Sequence, residues 1–337
     1  MNHLKIVSFT EVGRRLGEQL ARALSDVRAE RYARGADESL RGTSLARFAQ
    51  QAMFDCDGVV FIGAAGIAVR TVAPYLRGKA EDPAVLVMDE AGGFVIPLLS
   101  GHLGGGNELA KRIAAAVGAI PVLTTATDVR GVFAADSWAK TQGLRVADPA
   151  QIQFVSAALL RGAAVGLQSD IVVLGAPPAG VVLDGKAETG IWITAKTGPA
   201  PFVHTLRLLP RVIIAGMGCR RGKTQATLEA ALQNACAAAG IDPRALAAVA
   251  SVDRKADEPG LITLAASRGV PFLTFSAETL RAVPGIFSSS GFARETVGVD
   301  NVCERAAVAA GGKLICRKTV WDGVTVALAE RPMEVSF

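Results

Sequence analysis

Short apolar runs alternate with amphipathic stretches through the first part of the chain. "LKIVSF" has the density of a strand, and the following "VGRRLGEQLARAL" spaces its apolar residues three and four apart, the helical period. "GVVFIG" (58–63) and "AVLVMD" (84–89) are apolar at nearly every position, as strands covered on both faces are. Between them "IAVRTVAPYL" is helix-like. "FVIPLL" (94–99) predicts a short strand, "NELAKRIAAAVG" (107–118) a helix closed by Gly118, and "PVLTT" (121–125) a return to strand.

The middle of the chain changes character. After two helical stretches, "SWAKTQG" and "AQIQFVSAALLRG", come short β-rich pieces: "AVGLQ", "IVVLG", "GVVLD", "GIWITA" and "FVHTLRL". Turn clusters such as "GAPPAG" and "KTGPAP" separate them. From Arg211 the alternation resumes, with strands at 211–215, 246–251 and 271–275 and helices at 224–239 and 260–268. A helix near 303–310 and strands near 313–316 and 323–328 complete the pattern. The expected fold class is α/β. N- and C-terminal α/β domains with mainly parallel sheets (1–133 and 210–337) are joined by a small β-rich central region (134–209).

Composition removes several classes. Half of the 337 residues are hydrophobic and a fifth are charged, as in an ordinary soluble protein rather than a disordered or low-complexity one. No apolar run reaches the roughly 18 residues of a membrane span, and the start of the chain lacks the order of a secretory signal. Only 5% of residues are aromatic and no dense Lys/Arg run carries them, so nucleic acid is not the expected partner. The net charge of +5 suits an anionic small molecule. Five cysteines without CxxC spacing predict reduced thiols and a cytoplasmic location. Three scattered histidines offer no local metal motif.

Four stretches could carry chemistry. "LLSGHLGGGNELAKRI" (98–113) brings Ser100, His102, Gly104, Gly105 and Gly106 to the start of a helix, with Asn107 as the expected N-cap and Glu108 in the first turn. The glycines and helix N-terminus suit an anion, although the same residues would also build a plain βα turn. "PVLTTATDVRGVFAAD" sets Thr124, Thr125, Thr127 and Asp128 beyond a strand end, where α/β proteins place ligands; a capped turn explains them equally. "ASVDRKADEPGL" offers Lys255 and Glu258 as an acid–base pair, or as part of a solvated charged loop. Ser288, Ser289 and Ser290 lack the G-x-S-x-G elbow of a hydrolase nucleophile.

"AGMGCRRGKT" (215–224) ends like a Walker A loop, but the first glycine of G-x-x-x-x-G-K-[ST] falls on Met217. The dinucleotide pattern G-x-G-x-x-G fails as well, because Arg221 stands at its third glycine. The stretch then predicts a close-approach turn in which Gly218 and Cys219 precede two guanidiniums, Arg220 and Arg221, suited to carboxylates.

Together, "PLLSGHLGGGNELAKRIA", "PVLTTATDVRGVFAAD", "GMGCRRG", "ASVDRKADEPGL" and "VGVDNVCERAA" resemble the CbiG family, the cobalt-precorrin-5A hydrolases of cobalamin biosynthesis. The resemblance spans nearly the whole chain, with one mild departure at Gly106, where alanine is as common. It implies opening of a δ-lactone on a cobalt-bound corrin precursor and loss of a two-carbon fragment as acetaldehyde. No cofactor of the protein's own is implied, since cobalt comes with the substrate. Transfer contacts with neighbouring pathway enzymes are left open by the resemblance. For that chemistry His102, Glu108, Asp128, Lys255 and Glu258 are the acid–base candidates. Ser100, Gly104–Gly106, Asn107, Thr124, Thr125, Gly218, Cys219, Arg220, Arg221 and Ser289 are the substrate-binding candidates. Regions similar to the C-terminal part also occur by themselves, so the alternative is a non-catalytic carrier of corrinoid intermediates.

Overall fold

The computed structural model describes residues 1–33, 44–78, 81–102, 104–183, 186–289 and 298–337. Contacts divide the chain into two compact units: Met1–Lys140 with Leu159–Arg161, and Thr141–Ala158 with Gly162–Phe337.

In the first unit six strands, β1 (His3–Ser8), β2 (Arg28–Ala33), β3 (Gly58–Ile62), β4 (Ala84–Met88), β5 (Phe94–Leu99) and β6 (Ile120–Pro121), form one sheet in the order β2-β1-β3-β4-β5-β6. The alternation of a strand sorts β3 onto two faces. Val60 and Ile62 join Leu4, Ile6 and Leu86 beneath Leu20, Leu109 and Ile113 of helices Glu11–Ala23 and Gly106–Val117. Val59 and Phe61 join Val7, Val85 and Val87 beneath Phe48, Met53, Ala68 and Val72 of helices Leu45–Asp55 and Ala65–Val72. Each fully buried Val, Leu, Ile, Phe or Met side chain among them contributes about 1.5–3 kcal/mol relative to exposure.

The direction of β5 decides where the loops fall. β1 to β4 run parallel, but β5 is antiparallel to β4, with Val85 opposite Leu99. β6 runs parallel to β5. The segments leaving β5 and β6 therefore emerge at the amino edge of β1, β3 and β4. The strand expected over 121–125 is only Ile120–Pro121; Val122 N–H still bonds Val95 O, and 123–125 then leave the sheet. β2 and helix Leu45–Asp55 had no counterpart in the hydrophobic pattern. β2 is an edge strand whose sequence, RAERYA, is largely polar.

The second unit begins with the central sheet, formed by β7 (Arg145–Val146), β8 (Val165–Ser169), β10 (Val181–Leu183), β11 (Thr189–Ile193) and β12 (His204–Leu209) in the order β10-β8-β11-β12-β7. All of its pairings are parallel except β12 with β7. A short strand outside it, β9 (Val172–Leu174), pairs with β18 (Glu334–Ser336) near the end of the chain.

A third sheet has the order β15-β14-β13-β17-β16, with β13 (Ile213–Cys219), β14 (Leu246–Val252) and β15 (Phe272–Phe275) parallel. β17 (Val324–Glu330) is antiparallel to both β13 and β16 (Lys313–Trp321). On one face Ile213, Ala215 and Met217 pack beneath helices Gln225–Ala238 and Pro259–Arg268. On the other Ile214 packs with Leu280, Ala306 and Ala307 of helices Ala277–Ala282 and Cys303–Ala309. Gly216 is the point of closest approach: a β-carbon there would stand 1.8 Å from Cys303 O. The α/β class with mainly parallel sheets is the one the alternation predicts.

Candidate active site

The segments leaving β5 and β6 meet around His102. Its Nε2 lies 3.0 Å from Thr127 Oγ1, in the short helix Ala126–Val129, and its Nδ1 lies 3.2 Å from Ser137 Oγ, in helix Ala135–Thr141. Both ring nitrogens thus face hydroxyls, which can donate or accept. The helix that brings Ser137 is anchored by Trp138, whose ring meets Phe133 at 5.8 Å. Lys140, one turn beyond Ser137, puts its ammonium 3.0 Å from where a β-carbon on Gly105 would stand. Asn107, buried in the helix start, donates its Nδ2 hydrogen to Thr125 Oγ1 at 3.2 Å and ties the two loops together. Thr124 lies in the irregular stretch just before Thr125.

The glycine loop serves itself before it serves a ligand. Gly105 N–H donates to His102 O, Gly106 N–H to Ser100 O, and Asn107 N–H to Gly101 O. Three of the backbone donors expected to face an anion are therefore spent on closing the turn. Gly105, at φ +80, is the N-cap in place of Asn107. A β-carbon on Gly104 would meet Ser100 Cβ at 2.3 Å, and one on Gly106 would meet Leu99 O at 3.1 Å. Ser100 itself sits at φ +54, held by its hydroxyl's donation to Asp82 O at 2.8 Å. Glu108 points away into solvent and pairs with Lys111 at 2.7 Å, so it does not join the His102 cluster. Asp128 lies in helix Ala126–Val129, and its side chain falls outside the described residues.

The second cluster sits at the carboxyl edge of the C-terminal sheet and is made of charges. β13 continues through Cys219, so Gly216, Gly218 and Cys219 belong to the strand, and the turn is confined to Arg220–Thr224. The expected wide glycine turn is shortened because Gly216 and Gly218 admit neighbours: Cys303 O at the first, Thr325 Oγ1 at the second. Arg221 forks onto Asp257 at 3.0 and 3.1 Å and also donates to Arg254 O. Glu258, 1% exposed, accepts from Gly222 N–H at 2.8 Å and from Lys255 Nζ at 2.8 Å. Burial alone would raise its carboxyl, but those two donors outweigh burial and hold it below the ordinary glutamate value. Burial pushes the Cys219 thiol up against the pull of Lys255, which makes it a poor nucleophile. Arg220 is exposed and makes no hydrogen bond or ion pair among the described residues. Lys223 pairs with Asp322 at 3.1 Å, and Thr224 caps helix Gln225–Ala238, the ordinary roles that remain once a nucleotide loop is excluded.

Ser289 is exposed, and its carbonyl lies 3.4 Å from Lys318 Nζ. Ser288 is the anchored member of the serine run. Its N–H and hydroxyl both donate to fully buried Glu304, which also accepts from Lys318 N–H. Burial works to raise Glu304, and the three donors overcome it and keep the carboxyl low. Ser290 lies outside the described residues. Sequence reasoning missed Ser137 and Glu304. Glu304 carried a signal, a charged residue at a core-facing helical position of "NVCERAA"; Ser137 carried none, being one polar residue 35 positions from His102.

Among the described residues no group of three or more His, Cys, Asp or Glu side chains gathers as metal ligands. None of the described helices is long and apolar enough to cross a membrane. Three family models match in succession: the cobalamin synthesis G N-terminal region over residues 47–128, the cobalamin biosynthesis central region over 133–210, and the cobalamin synthesis G C-terminus over 213–329. A cobalt-precorrin-5A hydrolase of Salmonella typhimurium is 39% identical over 296 residues, covering 84% of each chain. Another, from Priestia megaterium, is 29% identical over 82% of this chain and 79% of its own. Protein CobE of Sinorhizobium is 33% identical over 35% of this chain and 79% of its own. With its three regions matched in order and a relative this similar along most of both lengths, the chain belongs to the CbiG family of cobalamin synthesis proteins.

Proposed function

We propose that this chain is a cobalt-precorrin-5A hydrolase: it opens the δ-lactone of a cobalt-bound corrin precursor with water and releases the two-carbon fragment as acetaldehyde. The observation that carries the reading is the 39% identity to the Salmonella enzyme over 84% of both chains. The cobalt arrives as part of the substrate, so no resident cofactor enters the scheme.

Lactone opening needs a base for water and a proton for the departing alkoxide. His102, half-buried and hydrogen-bonded at both ring nitrogens by hydroxyls, is the group we assign to both tasks. An imidazole can take a proton at one step and return it at another within one turnover. The later carbon–carbon cleavage removes the proton of the freed alcohol, forms the aldehyde C=O, and leaves the electron pair with the conjugated macrocycle. The Lys140 ammonium beside Gly105 is the cation we assign to the developing oxyanion or a substrate carboxylate. Arg220 is the guanidinium offered to acetate and propionate groups, whereas the fork of Arg221 is taken by Asp257.

The deciding experiment is anaerobic incubation with the cobalt-bound lactone, mass measurement of the corrinoid and trapping of acetaldehyde. Acetaldehyde equal to the corrinoid consumed is expected. Tight binding of the lactone without acetaldehyde would replace the enzyme with a carrier.

A further inference from the structure

We propose that Ser137 is the hydroxyl through which His102 exchanges protons with the attacking water, and that Thr127 fixes the histidine's tautomer so that it can. The inference rests on the acid–base role given to His102 above. Its own ground is the unequal setting of the two hydroxyls. Thr127 is 6% exposed, lies 3.0 Å from Nε2 and is enclosed by its own turn, where Val132 N–H bonds Thr127 O. Ser137 is half-buried and lies 3.2 Å from Nδ1 on the other side of the ring.

A neutral imidazole has one N–H and one lone pair. If Nδ1 carried the proton, the lone pair would face Thr127, and the base would be turned toward the interior. With the proton on Nε2, donated to Thr127 Oγ1, the Nδ1 lone pair faces the Ser137 hydroxyl on the more open side. Only this second arrangement joins the base to water. As water adds to the lactone carbonyl, its proton passes to Ser137 Oγ while Ser137's own proton passes to Nδ1. When the acyl C–O bond breaks, a proton returns along the same path to the departing alkoxide. One water is consumed, an acid and an alcohol are formed, and all three side chains end as they began. Thr127 is a positioning residue in this scheme, since it acts on the substrate only through His102.

The test uses the full-length protein, acetaldehyde release in mixed light and heavy water, and 15N-labelled histidine. The chain has three histidines, which keeps the ring signals few. Ser137→Ala is expected to lower kcat by about 100-fold with KM within about twofold, at the low end of general acid–base effects. It should also turn a bowed proton inventory linear, and Ser137→Thr should restore most of the rate. The 15N shifts of His102 should place the proton on Nε2, and Thr127→Val should move them toward a mixture of tautomers. Parental kcat or an unchanged inventory in Ser137→Ala overturns the proposal, as does a proton found on Nδ1. A covalent acyl adduct on Ser137 also overturns it, because attack would then replace relay. His102→Ala separates the two levels: an inactive His102→Ala with a normal Ser137→Ala removes the relay alone, whereas an active His102→Ala removes the acid–base role on which it rests.

Discussion

The two polar clusters of this protein are built from opposite materials. Around His102 the described hydrogen bonds join an imidazole, the hydroxyls of Thr127, Ser137 and Thr125, and the amide of Asn107, with the Lys140 ammonium beside the glycine loop. Around Glu258 they are ionic, with Lys255 and Gly222 N–H on one carboxylate and Arg221 clasping another at Asp257. A hydroxyl can reverse from donor to acceptor at little cost, so the first cluster can pass a proton and stay assembled. A buried carboxylate held low by two donors cannot give up its charge without leaving those donors unmatched. Under the proposed mechanism the first cluster carries the reaction and the second holds a loop in place.

The sharpest way to break that contrast is to remove one centre from each side. His102→Ala should lower kcat by about 10²- to 10⁴-fold with little change in the denaturant midpoint, measured by acetaldehyde release and equilibrium unfolding. Glu258→Ala should do the reverse. It should lose about 1–3 kcal/mol of stability in urea titration, because half-buried Lys255 loses its partner and Gly222 N–H its acceptor, while turnover per folded molecule stays near the parent. A reversal of the two phenotypes would exchange the roles assigned to the clusters.

Acid provides the next test. The folded carboxyls of Glu258 and Glu304 both lie below their ordinary value. Their stabilisation is therefore complete above the unfolded glutamate pKa of about 4.3 and is lost as pH falls through the folded values. Unfolding free energy measured downward from pH 6 should drop on that limb, and Glu304→Gln should flatten the drop. The smallest effect belongs to Glu108. Its exposed pair with Lys111 predicts that Glu108→Gln changes stability by less than about 0.5 kcal/mol and leaves acetaldehyde release unchanged. A large loss of activity there would bring Glu108 into the His102 cluster.

Much of this architecture was legible in the hydrophobic pattern because buried strands such as β3 and β4 are apolar at every position. β2 was not, since a polar edge strand lacks that signal. The reach of β13 to Cys219 was hidden for another reason. Its glycines look like a turn in one dimension, and only the packing of Cys303 and Thr325 shows that they serve a crowded strand. At the His102 site the sequence brought the histidine forward, because a polar ring in a glycine loop has no packing explanation. It gave no hint that β5 turns back and carries the loop to the amino edge, since strand direction depends on pairing. The lone Ser137 was unreadable for the same reason: its meaning comes entirely from what the fold brings beside it.

The pairing of β9 with β18 has a consequence in time as well as in space. Val173 waits for Val335, made about 160 residues later. At roughly 5–20 residues per second that is an interval on the order of ten seconds. Throughout it, β9 on the nascent chain has no ladder partner. Synthesis thus leaves the backbone of β9 without its ladder partner until nearly all of its compact unit has been made.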